Sequence, residues 1–100
     1  MSSEQPNIVY LFSDQHRHDA MGCAGNNVVQ TPTLDRLAGE GLRCSRTYCQ
    51  SPVCMPSRAS VITGLYPHQH GILQNFVRDL DPEWPTMMKQ LHEFGGQIFV

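Results

Sequence analysis

Apolar positions in this chain follow two periods, one of strands and one of helices. Residues 7–13 hold an unbroken apolar stretch, Ile8, Val9, Tyr10, Leu11 and Phe12, soon after Pro6. Such a run reads as a strand buried on both faces, as in a parallel sheet. Asp14 stands at its carboxyl end, where open α/β sheets hold their ligands. Residues 15–32 carry Gly22, Gly25, Asn26, Asn27 and Pro32 and read as a long loop. From Pro32 to Glu40, Leu34, Leu37 and Ala38 share one helical face, with Thr31 or Thr33 as cap and Gly39 and Gly41 as stop. Residues 42–49 read as a second strand with polar interruptions. A helix follows, then a loop over 65–81. Residues 84–94 read as a further helix with Met87, Met88 and Leu91 inward. Gly95 and Gly96 stop it, and residues 97–100 open a third strand. The order strand, helix, strand, helix, helix, strand predicts an α/β sandwich.

Composition narrows the class. One hundred residues make one small domain at most. With 40% hydrophobic residues, 16% charged and a net charge of −2, the chain reads as an ordinary soluble globular protein. No basic surface for nucleic acid is expected. No apolar run approaches the ~20 residues of a membrane span. The first seven residues have neither a basic nor an apolar stretch, so they do not read as a signal peptide. The four cysteines, Cys23, Cys44, Cys49 and Cys54, then read as reduced thiols, and the expected location is cytoplasmic. Cys23 and Cys44 are expected in the core.

The stretch from Cys54 to Gly64 changes the picture most. It reads C-x-P-S-R-x-x-x-x-T-G. Pro56 suits the first turn of a helix, where its missing N–H costs nothing. Gly64 suits a stop. Cys54 is therefore expected just before a helix N-terminus, where free N–H groups and the helix dipole favour an anion. Arg58 lies four residues on, about one helical turn. Its forked guanidinium matches a tetrahedral oxyanion. Taken alone, Cys54 would be a small hydrophobe at the start of an ordinary helix. The whole run argues otherwise.

That run resembles the signature of the type I sulfatases, the formylglycine-dependent members of the alkaline-phosphatase-like superfamily. The resemblance extends from Asn7 to about Gly95. It implies an alkaline-phosphatase-like α/β/α sandwich with a mostly parallel central sheet, of which residues 1–100 are the N-terminal part. Residues 97–100 read as the opening of a buried strand and not as a natural end. The resemblance further implies that Cys54 is oxidised to formylglycine by a formylglycine-generating or sulfatase-maturing enzyme. Cys54 and Arg58 are then the catalytic residues, and the substrate is a small-molecule sulfate ester. A phosphonate monoester or phosphodiester hydrolase of the same superfamily is the alternative, as is an inactive fragment.

The family binds a divalent cation through an acidic pair after the first strand. Here that position carries Asp14 and Gln15, so the implied metal ligands are Asp14, Gln15 and Cys54. A glutamine carbonyl is a hard oxygen donor without charge. Oxygen donors favour calcium, magnesium or manganese over zinc, and calcium is the expected ion, with magnesium or manganese as alternatives. The family's second ligand pair, and its lysine and histidine on the sulfate and leaving group, are implied beyond residue 100. His16, His18, His68, His70 and His92 lack the spacing of a zinc module with the cysteines. His70, in a Tyr-Pro-x-x-His-Gly run, is expected to be architectural or pocket-lining, and His92 to lie at the surface. Gln74, Asn75 and Arg78 belong to a region that lines the substrate mouth in the family.

Overall fold

The computed structural model describes residues 6–96. The chain divides into two compact units, residues 1–46 and 47–100, and each is described by itself.

In the first unit, residues 7–13 run without a partner strand, and no strand forms among the described residues. The strands expected over 7–13 and 42–49 are therefore corrected, and the one expected over 97–100 lies outside the described residues. The physical reason is that a strand is completed by hydrogen bonds to a neighbour. The first run keeps the composition of a buried strand, yet Val9 is 81% exposed and Leu11 83%. Tyr10 and Phe12, two residues apart, stack their rings with centroids 5.9 Å apart.

The loop over 15–32 holds a single 3₁₀ turn, Gly22–Ala24, ended by Gly25 in the left-handed region at φ 93°. Helix α1 spans Pro32–Glu40, as its apolar spacing predicts. Thr31 occupies the cap position, but its hydroxyl does not cap the helix. It accepts the Gly22 N–H at 2.8 Å and donates to Asp35 Oδ1 at 3.1 Å. Asp35 Oδ1 also accepts the Cys23 N–H at 2.7 Å. That bond, more than any other influence, holds the Asp35 carboxyl below its ordinary range, against a smaller opposing effect of desolvation. Gly22 is needed for this lock, because a Cβ there would stand 2.5 Å from Asp35 Oδ2.

In the second unit, helix α2 spans Cys54–Thr63 and ends on Gly64, at φ 72°, whose N–H bonds Ser60 O at 2.8 Å. Helix α3, Pro67–His70, is one turn inside the stretch expected to be loop. Pro67 presets its first residue, and Gln69 Oε1 accepts the Tyr66 N–H at 2.9 Å. Helix α4 spans Met87–Glu93, with the Thr86 hydroxyl accepting the Lys89 N–H at 3.2 Å. It begins three residues later than its pattern predicts, since Pro85 disfavours helical geometry at Trp84. Helix α2 packs against α3 and α4. Among the described residues the buried ones are Pro56, Ala59, Ser60, His70 and Ile72.

Candidate active site

Helix α2 has little capping of its own. Val53 takes the cap position and has no side chain that can accept a hydrogen bond. Of the first-turn positions, Pro56 has no N–H to satisfy. The Ser57 N–H reaches Val53 O at 3.0 Å, and the Val53 N–H reaches Ser51 Oγ at 3.2 Å. The Met55 N–H is taken by Asn75 Oδ1 at 2.9 Å, from 20 residues along the chain. The next residue, Phe76, donates its N–H to Met55 Sδ at 3.1 Å. Asn75 and Phe76 thus clasp the residue beside Cys54. Phe76, 93% exposed, adopts φ 60°, a backbone conformation that a bulky residue rarely takes.

Cys54 is the first residue of α2, one position further in than the sequence suggests. Its N–H is among those that a helix leaves without an intrahelical partner. At about 100° per residue, Cys54 and Arg58 lie ~40° apart around the helix. Pro56, Ala59 and Ser60 form the buried face, on average about 170° round from them. The structure therefore brings Cys54, half-buried, and Arg58, exposed, to one face and the packing contacts to the other.

His70 anchors the packed face. Its side chain is 1% exposed. Nδ1 accepts the Ile72 N–H at 3.1 Å, and Nε2 lies 3.0 Å from Ser60 Oγ. The Trp84 ring sits at 6.3 Å. Burial pushes the imidazole below its ordinary pKa, the Pro56 carbonyl partly opposes this, and His68 adds to it. The histidine is structural and neutral, in line with its architectural reading. His92 is exposed, also as expected. Cys44 corrects its assignment: it is exposed, while Cys23 is half-buried.

Asp14 and Gln15 belong to the other unit. Both are exposed and form a bend directly after the apolar run, with Gln15 in the left-handed region at φ 49°. Their oxygens suit a hard cation, but a carboxylate and an amide provide only part of a shell of 6–8 oxygens of the kind calcium takes. Among the described residues no group of three or more His, Cys, Asp or Glu side chains is gathered to hold a metal. Gln74 and Arg78 are exposed, and the Arg78 guanidinium lies against Gly71, where a Cβ would meet Nη1 at 2.8 Å. Sequence reasoning placed Asn75 in this region but missed its bond to Met55. The sequence put Cys54 and not Val53 at the cap position, so the need for an outside acceptor gave no signal.

Known proteins identify the family of this chain. The family model described as Sulfatase matches residues 6–95. An N-acetylglucosamine-6-O-sulfatase of Bacteroides thetaiotaomicron is 36% identical over 95 residues, covering 95% of this chain and 17% of that protein. An ulvan-active sulfatase of Formosa agariphila is 46% identical over 71 residues, 71% of this chain and 14% of that protein. Arylsulfatase H of Canis lupus familiaris is 44% identical over 70 residues, 70% of this chain and 12% of that protein. No solved structure matches the chain. The chain belongs to the sulfatase family. It spans less than a fifth of the length of these relatives. Membership implies an alkaline-phosphatase-like fold and, in general, a formylglycine and a divalent metal. No helix among the described residues is long and apolar enough to cross a membrane.

Proposed function

We propose that the protein carrying this chain is a sulfuric ester hydrolase, with residues 1–100 forming the N-terminal part of its catalytic domain. The observation that supports this best is the shared face of Cys54 and Arg58 on a helix pinned from behind, within a family whose named relatives are sulfatases. The phosphonate alternative is not favoured by those relatives.

In this reading a maturing enzyme oxidises the Cys54 side chain to an aldehyde, the sulfur leaving as sulfide, an oxygen taking its place and an external oxidant accepting two electrons. The aldehyde then adds water to become a geminal diol. One hydroxyl gives up its proton and attacks the sulfur of a sulfate ester in line. The bond from sulfur to the alkyl oxygen breaks, and the alcohol leaves after taking a proton. The second hydroxyl then loses its proton, the C–O bond to the sulfate breaks, and the carbonyl re-forms. A serine has no second hydroxyl and so no such exit. Arg58 holds fixed charge near the transferring group, an arrangement whose loss elsewhere costs about 10²–10³ in kcat. Asp14, Gln15 and the modified Cys54 side chain would provide ligands to a divalent cation, calcium by preference. That ion would supply Lewis acidity toward the sulfate oxygens and lower the pKa of the diol. The remaining ligands and the leaving-group acid belong outside this chain. A cytoplasmic location is part of the same proposal and is supported by the free thiols Cys23, Cys44 and Cys49.

The test is an assay of the full-length protein on paired esters that differ only in a sulfate or a phosphonate group. Turnover of the sulfate ester with a higher kcat/KM is expected. Preference for the phosphonate would replace this reading with its alternative.

A further inference from the structure

We propose that His70, held as its Nε2–H tautomer, is a positioning residue that fixes the turn of α2 carrying Cys54 and Arg58. The inference rests on the sulfatase reading of that face. The tautomer follows from the partners. A backbone N–H can only donate, so Nδ1, at 3.1 Å from the Ile72 N, is the unprotonated acceptor. The proton of the neutral ring is then on Nε2, aimed at Ser60 Oγ, 3.0 Å away. The Pro56 carbonyl also acts on the ring as an acceptor. Gly71, at φ 68°, makes the turn that brings the Ile72 N–H back onto its neighbour's ring.

Pro56 and Ser60 are four residues apart and stand one turn above each other on α2. Each lies two residues after a site residue, Pro56 after Cys54 and Ser60 after Arg58. One imidazole therefore grips the back of the turn whose front carries both groups. The ring is shut away from water, so a lost partner has no solvent substitute. A helix gripped at two points of one turn resists rotation about its axis. Rotation is the motion that would sweep Cys54 and Arg58 across the substrate, and productive sites tolerate only about 0.5 Å of such error.

The test uses the full-length, matured protein. His70→Asn keeps an acceptor for Ile72 and loses the Nε2–H donor, whereas His70→Gln reaches the Nε2 position with an amide N–H. The asparagine variant should lose about 10–100-fold in kcat with KM little changed, as orienting partners of a site typically do when removed. The glutamine variant should recover most of that loss. Ser60→Ala should lose a similar factor, and the pair His70→Asn with Ser60→Ala should lose no more than the worse single change, because both break one contact. Nitrogen-15 spectra of the unmutated protein should show the Nε2–H tautomer at neutral pH, whatever the variants do. Wild-type kcat in a folded asparagine variant, additive losses, or an Nδ1–H tautomer would overturn the proposal alone. An unmutated, matured protein inert toward sulfate esters would overturn it together with the functional reading.

Discussion

Residues 54–64 and residues 7–15 carry the four proposed site residues, and they depend on the rest of the molecule in opposite ways. The first stretch is completed from nearby. Its helix is stopped by Gly64, capped by Asn75 and gripped by His70, all within one unit. The second stretch is an apolar run that needs strands on its flanks, and the described residues provide none. A helix satisfies its own backbone, whereas a strand borrows its hydrogen bonds. The face shared by the proposed catalytic residues Cys54 and Arg58 is therefore built locally, whereas the proposed metal ligands Asp14 and Gln15 are exposed on a bend.

Substitutions can break or sharpen that contrast. The largest effect belongs to Cys54. Cys54→Ala should reduce turnover of the full-length protein by more than about 10³-fold, as loss of a covalent nucleophile does. Circular dichroism should still show a folded protein, since the Cys54 side chain is not among the buried ones. Retained activity would remove Cys54 from the reaction. Arg58→Lys comes next. It keeps the charge and loses the fork, and kcat/KM should fall by about 10²-fold. Near-normal kinetics would mean that the Cys54 face does not act through Arg58.

The metal half should respond more weakly and by charge. Asp14→Asn removes the only formal charge of the pair, so it should weaken divalent-cation binding more than Gln15→Ala. Calorimetric titration of the full-length variants reads the order directly, and the reverse order would move the metal away from Asp14. The smallest effect concerns pH. His70 is held below its ordinary pKa of 6.5, so below that pH the unfolded chain takes up a proton that the native ring refuses. Stability should therefore be full above about pH 6.5 and decline as pH falls below it. His70→Gln should remove that part of the decline, seen as a flatter plot of melting temperature against pH.

How far the sequence foretold this structure follows the same contrast. Helices α1, α2 and α4 were legible because period, proline and glycine agree within each segment. Helix α3 was not, because four residues are too few to show a period. Thr31 looked like a cap, yet its hydroxyl is committed to Gly22 and Asp35, a choice made by tertiary packing. Asn75 could not be assigned to Met55 because a contact across 20 residues leaves no local pattern. The two expected strands failed on their partners and not on their composition. Cys54 and Arg58 were legible because a single turn sets their relation.

The central claim is that Cys54 is matured to a formylglycine on a sulfatase face, and the most direct measurement is the mass of the peptide released by cleavage after Arg46 and Arg58. Fragmentation must separate Cys49 from Cys54, which share that peptide. The account predicts that position 54, in active full-length protein, is lighter than cysteine by the difference between hydrogen sulfide and one oxygen atom, with Cys49 unchanged. An unmodified thiol at position 54 in protein that turns over sulfate esters would contradict it.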